Sequence, residues 1–175
     1  VGRLAEEKNL EELLHLRAAM GEAPVTLLLV GGGPDKLRLE GIAAGLGLTA
    51  PAVVFAGMVP PAQVPDWYQL GDLFVSASTS ETQGLTYIEA LAAGVPALCR
   101  ADPCLAGVIR EGENGWQYRD REEFQQKLTE IRRQPEQLAE MSAAARRSMQ
   151  TFSIHAFAEH MESIYLSQMA HHGGG

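Results

Sequence analysis

Val25-Thr26-Leu27-Leu28-Leu29-Val30-Gly31-Gly32-Gly33-Pro34 is an unbroken apolar run that stops on three glycines and a proline. A strand covered on both faces reads this way, whereas a strand with one wet face alternates apolar and polar residues. Lys36 to Leu46 then takes helical spacing, so the run ends at a strand-to-helix turn. The alternation continues outward: a strand over Ala52 to Ala56, a short helix over Pro61 to Leu70, a strand over Asp72 to Ser76, a helix from Gly84 to Ala93 and a strand over Pro96 to Cys99. Asn114-Gly115 marks a turn before a short last strand, Trp116-Gln117-Tyr118. Upstream, Leu10, Leu13, Leu14 and Leu16 place one apolar face on a helix spanning Glu6 to Met20, stopped by Gly21. Arg121 to Met169 reads as all helical, with Pro135 opening a new helix and a break at Phe152-Ser153. Strands alternating with helices require right-handed crossovers. The expected fold is α/β, a Rossmann-like parallel sheet with helices on both faces and a helical C-terminal extension.

Length and charge narrow the class. The 175 residues suit one domain, read as 1–170 with a disordered tail at 171–175, and 46% hydrophobic against 21% charged residues is a globular balance. Val1-Gly2-Arg3-Leu4 reads as a strand-to-helix turn whose strand is truncated. A net charge of −8 argues against nucleic acid as a partner, since phosphate-backbone binders carry a basic excess. The pairs Arg132-Arg133 and Arg146-Arg147 fall among helical Glu and Gln and read as solvated faces. Cys99 and Cys104, with four residues between them, fit neither a zinc ribbon nor a disulfide framework; reduced thiols and a cytoplasmic setting are the expectation. No apolar run reaches the roughly 18 residues of a membrane span.

In open parallel sheets, ligands bind beyond the carboxyl ends of the strands, where helix N-termini offer free N–H groups. That singles out the loops Gly2 to Asn9, Gly31 to Lys36, Gly57 to Gln63, Ser76 to Leu85 and Arg100 to Gly107. The triple glycine lacks both the dinucleotide fingerprint, whose third glycine would fall at Lys36, and the Walker pattern. It serves either as a tight turn for close backbone packing or as a phosphate contact. Ser80-Glu81-Thr82-Gln83-Gly84-Leu85-Thr86-Tyr87-Ile88-Glu89 is more specific. Gly84 and Leu85 can offer backbone N–H groups to a phosphate, and two carboxylates, Glu81 before the helix and Glu89 on its second turn, can accept from sugar hydroxyls. The competing reading makes Glu81 a helix cap and Glu89 a surface residue. Asp102 is either a ligand contact or a loop cap. His15, His155 and His160 lack helical His partners, so no metal site is expected. Trp67 and Tyr68 read as packing residues.

Glu81 and Glu89, with seven residues between them and followed by Gly94-Val95-Pro96, resemble the paired-glutamate motif of family 4 retaining glycosyltransferases of GT-B fold. Val1 to Leu4 with Glu7-Lys8-Asn9 is similar to the family's opening loop, and Gly31 to Pro34 to its second-strand loop. The resemblance implies the C-terminal, donor-binding half of such an enzyme, one unable to complete transfer without its other half. Arg3 and Lys8 then match the cations that hold the diphosphate, with Gly2 in the same loop. Gly84 and Leu85 match the backbone donors to the sugar-phosphate, Glu81 the contact to the donor sugar, Glu89 the ribose partner, and Met58 and Val59 the segment lining the base. Without the family, Arg3 and Lys8 would read as exposed residues of a helix start. Ser80 to Leu91, with Gln83 where the wider family usually has an aromatic residue, then Asp102, Leu105 to Ile109 and Asn114-Gly115 further resemble bacterial 1,2-diacylglycerol 3-glucosyltransferases, which implies UDP-glucose as donor substrate, diacylglycerol as acceptor, and peripheral contact with the inner face of the membrane; no separate cofactor is expected, and with no Asp-x-Asp signature, Arg3 and Lys8 are expected to stand in for a metal. The alternative from another class is a non-catalytic nucleotide- or partner-binding α/β module; a receiver-like signalling domain is disfavoured by the absence of an acidic cluster in the opening loop.

Overall fold

The computed structural model describes residues 1–79 and 84–150. Its strands are β1 (Leu27–Val30), β2 (Val53–Gly57), β3 (Phe74–Ser76), β4 (Ala97–Arg100) and β5 (Gly115–Tyr118). All pairings among them are parallel, in two patches: β1 beside β2, and β3-β4-β5 in that order. The helices are α1 (Leu10–Ala19), α2 (Lys36–Gly45), α3 (Val64–Gln69), α4 (Leu85–Ala92), α5 (Arg121–Arg133) and α6 (Pro135–Ser148). The break at Phe152-Ser153, the rest of the helical extension and the tail at 171–175 lie outside the described residues, as do His155 and His160.

Period-two alternation sorts the core onto two faces. In β4, Leu98 packs with Leu13, Leu14, Leu39 and Phe124 from α1, α2 and α5. Its neighbours Ala97 and Cys99 pack on the opposite side with Tyr87, Leu91, Ala145 and Met149 from α4 and α6. All three β4 residues are fully buried, which is why this strand reads as continuously apolar. The buried Asn114 clamps the last turn: its Nδ2 donates to Val108 O and Ser148 Oγ, each over 2.9 Å, and its Oδ1 accepts from the Arg110 amide at 2.7 Å. Such a satisfied amide fixes the approach of α6 to the turn before β5.

Among the boundaries that depart from the sequence expectation, three have a visible cause. The first helix does not start at Glu6: Glu6–Lys8 form a 3-10 turn, Asn9 takes a left-handed φ of 47°, and α1 begins at Leu10. Asparagine tolerates that region, and its Nδ2 donates to Glu12 Oε2 at 2.6 Å. The strand expected from Val25 begins at Leu27, because the Arg17 guanidinium binds the Val25 carbonyl at 2.7 Å and those of Gly21 and Ala23 nearby. The strand expected from Asp72 begins at Phe74, after a turn in which the Gly71 amide donates to Tyr68 O.

Candidate functional site

The strands present their carboxyl ends to one side, and the loops leaving those ends converge there. Val1 to Leu4 lies along the end of β1: the Gly2 amide donates to Val30 O and the Leu4 amide to Gly32 O, each over 2.9 Å. The glycines make that approach possible. A Cβ on Gly31 would stand 1.8 Å from Gly2 O, and one on Gly33 would stand 2.2 Å from Leu4 O. The triple glycine therefore serves close backbone packing, with Gly31 also at a φ of 135°.

From β3, the loop returns to the same place. Ser78, almost fully buried, donates through Oγ to Glu7 O at 3.2 Å, and the Thr79 amide reaches the same carbonyl at 3.4 Å. Tyr87 Oη donates to Ser76 Oγ at 2.7 Å, holding the loop from beneath. The 3-10 turn carrying Lys8 is thus bonded to the segment that leads to Gly84. Glu81, with Ser80, Thr82 and Gln83, lies outside the described residues.

Gly84 is the N-cap of α4, with a φ of 61° that a side chain would strain. The first bonds to its carbonyl come from the Tyr87 and Ile88 amides, at 3.0 and 3.2 Å, so the amides of Leu85 and Thr86 precede the helix ladder. No acidic residue occupies the first turn of α4. Gly2 faces this helix end, since a Cβ there would lie 3.7 Å from Thr86 Cγ2. Arg3 is exposed and Lys8 half-buried in the same opening loop.

Of the expected residues, Gly2, Arg3 and Lys8 line one end of a cavity of about 690 Å³ with Thr86, while most of that cavity runs inward between β1 and β3. Gly84 and Leu85 cap the helix beside it, Gly84 buried and Leu85 exposed. Met58, 85% exposed, lies against the opposite flank of the glycine loop, where a Cβ on Gly32 would stand 2.7 Å from its Cγ. Val59 follows it, half-buried. Glu89 is exposed on the second turn of α4, and Tyr68 Oη donates to its Oε2 at 2.8 Å. Burial first, then the bond and the charge of Glu89, hold the Tyr68 phenol well above the ordinary tyrosine range. Asp102 caps the 3-10 turn Pro103–Leu105 by accepting from the Cys104 amide at 2.8 Å, so the loop-cap reading holds.

Besides the bond from Ser78 to the Glu7 carbonyl, two further partnerships escaped the sequence. Tyr68 orients Glu89 from α3, 21 residues away, with only its helical setting as a signal. At the end of β4, Arg100 grips both carboxylate oxygens of Glu12 at 2.5 and 2.6 Å, and its guanidinium lies 5.7 Å from the centre of the Tyr118 ring. Tyr118 Oη in turn donates to Ser76 O at 3.2 Å. Glu12 lies in a helix and Arg100 ends a strand, 88 residues apart, so no local pattern links them.

The fold is a parallel α/β domain whose strand ends gather the N-terminus of α4, the glycine loop and the loop bearing Arg3 and Lys8. The chain belongs to the group 1 glycosyl transferases: residues 1–148 match the family described as "Glycosyl transferases group 1". It is 33% identical over 168 residues to the alpha-monoglucosyldiacylglycerol synthase of Acholeplasma laidlawii, covering 95% of this chain and 42% of that protein. Among solved structures, HepE from Anabaena, crystallised in complex with UDP, superposes with a TM-score of 0.82 at 22% identity, over 95% of this chain and 47% of that one. The C-terminal domain of a group 1 glycosyl transferase from Francisella tularensis matches with a TM-score of 0.73 at 21% identity, over 88% and 84% of the two chains. The fold is that of the C-terminal half of a GT-B glycosyltransferase. The chain spans less than half the length of the Acholeplasma relative.

Proposed function

We propose that this domain binds a nucleotide-sugar, UDP-glucose, and that the full-length protein transfers the glucose to diacylglycerol with retention of anomeric configuration. The carrying observation is the N-terminus of α4, begun by Gly84 at positive φ and free of acidic residues, beside the loop that bears Arg3 and Lys8. As the bond between the sugar's anomeric carbon and the phosphate oxygen breaks, negative charge grows on the leaving diphosphate. The amides of Leu85 and Thr86 and the charges of Arg3 and Lys8 meet it without a metal ion. Glu89, held by Tyr68, accepts from the ribose hydroxyls; Glu81 is assigned to the sugar, and Met58 with Val59 to the base. The choice of acceptor is supported by the name of one relative, alpha-monoglucosyldiacylglycerol synthase. Such an acceptor places the work at a membrane surface, peripherally and on the cytoplasmic side where nucleotide-sugars are available.

Calorimetry and thermal shift on this chain test the donor half of the reading. UDP and UDP-glucose raise the Tm, because a ligand that binds only the folded state stabilises it. Stabilisation by GDP- or ADP-sugars alone overturns the choice of donor, and no stabilisation by any nucleotide-sugar overturns donor binding. The acceptor half is tested in the full-length protein: release of UDP and formation of a glucosyl lipid from UDP-glucose and diacylglycerol vesicles is expected, and transfer only to a water-soluble acceptor refutes it.

A further inference from the structure

Lys8 and the first amides of α4 come from distant parts of the chain, and a series of hydroxyl groups bridges them. On the first turn of α4, Tyr87 donates through Oη to Ser76 Oγ at 2.7 Å, and the same oxygen accepts from the Ser78 amide at 3.3 Å. Both lone pairs of that hydroxyl are then filled. Ser78 Oγ gives its hydrogen to Glu7 O at 3.2 Å, 71 residues away in sequence, where the Thr79 amide also arrives at 3.4 Å. Tyr87 and Ser78 are 1% and 2% exposed, so water does not replace a bond lost here. A second route leaves the same strand residue. Tyr118 donates through Oη to Ser76 O at 3.2 Å and lies 3.4 Å from Glu12 Oε1, while Glu12 Oε2 accepts from Asn9 Nδ2 at 2.6 Å. Lys8 is thereby bracketed: the residue before it is held through Ser78 and the residue after it through Glu12. Ser76 stands at the fork, its hydroxyl serving one route and its carbonyl the other.

We infer that Tyr87, Ser76 and Ser78 are positioning residues that fix the spacing between Lys8 and the amides of Leu85 and Thr86, the groups assigned above to the diphosphate. The inference rests on that donor reading and adds to it the side chains that preorganise the site. An anion held between a cation and a helix end gains from both only when they stand at the right separation, and a supporting shell loose by about 1 Å forfeits much of that gain. None of the three side chains needs to touch the ligand. Tyr87 reports the position of α4 to Ser76, the Ser76 hydroxyl holds the Ser78 amide, and Ser78 sets the turn through the Glu7 carbonyl. The route crosses from α4 to β3 and on to the turn without following the backbone of the loop between Thr79 and Gly84. Ordering of the two halves is completed when the chain folds, so the ligand does not bear that cost on binding.

The test measures UDP and uridine affinities by calorimetry for Ser78→Ala and Tyr87→Phe, each alone and each combined with Lys8→Gln. Tyr87→Phe keeps the ring against Phe74, with 5.4 Å between centroids, so it reads the same route even where Ser78→Ala loosens the fold. Each single substitution weakens UDP on the order of fivefold and changes uridine by less than about twofold; beside Lys8→Gln it weakens UDP by less than about twofold, because the cation it positions is gone. Ser148→Ala removes a buried hydroxyl of the same kind from α6, and it lowers the Tm while leaving the ratio of UDP to uridine affinity unchanged. Equal losses for UDP and uridine, or an undiminished loss beside Lys8→Gln, mean that these bonds only stabilise the fold and overturn the inference. So does unchanged UDP affinity in both variants, or a fall in the UDP-to-uridine ratio in Ser148→Ala. An unsubstituted chain that binds UDP no more tightly than uridine defeats the donor reading itself and takes this inference with it.

Discussion

Tyr68 donates its phenolic hydrogen to Glu89 across 2.8 Å, joining the buried face of α3 to the exposed second turn of α4. A glutamate held at one oxygen keeps the other for a ligand, and a phenol cannot compete with it for a proton near neutral pH. Tyr68→Phe removes the tether and keeps the ring packing against Phe74. We expect a stability loss of about 1 kcal/mol and a several-fold weaker UDP affinity, read by denaturant unfolding and calorimetry. Unchanged affinity would detach Glu89 from the donor.

The same phenol predicts alkaline behaviour. Tyr68 and Tyr118 sit above the ordinary value of 10.0, each chiefly through burial and then through Glu89 and Glu12 respectively. Above pH 10 the unfolded chain releases these protons while the folded chain keeps them, so stability is full below that pH and falls as pH rises through the raised values. Tyrosinate absorbance should show both phenols un-ionised beyond pH 10 until the fold is lost, and Tyr68→Phe should flatten the decline.

Gly31→Ala and Gly84→Ala separate packing from binding. The first drives a Cβ to 1.8 Å from Gly2 O at a φ of 135°, a backbone collision with no flexible atom to yield. It should cost about 3 kcal/mol or more, seen as a large fall in Tm. The second meets Leu105 Cδ2 at 3.4 Å and strains a φ of 61°, costing about 1 kcal/mol. Its methyl group stands where a phosphate would approach, so its affinity for UDP should fall by more than its stability predicts.

Arg3→Gln leaves the fold intact, because Arg3 is exposed. Affinity for UDP should drop about tenfold, or about 1.4 kcal/mol, and become less sensitive to salt, while affinity for uridine stays the same. Equal losses for UDP and uridine would remove Arg3 from the diphosphate.

The sheet was legible where burial is two-sided: Leu27 to Val30 and Ala97 to Cys99 read as continuous apolar runs because each lies between helices on both faces. Boundaries failed where a distant side chain intervened, as Arg17 does at Val25, or where one residue adopts an uncommon backbone angle, as Asn9 does. The start of α4 at Gly84 was legible because a helix start after a strand is a local pattern. Tyr68 with Glu89, Ser78 with the Glu7 carbonyl and Arg100 with Glu12 were not found, since each pair meets only after the chain has crossed the sheet.

The three glycines of the loop after β1 answer to different neighbours. Gly31 and Gly33 face the backbone of Gly2 and Leu4, which cannot move aside, and Gly32 faces the side chain of Met58, which can swing into solvent. Tolerance to substitution in this loop is therefore partitioned. Changes at the outer two glycines cost the fold, whereas Gly32 and Met58 can change together and reshape the outer side of this loop at little cost.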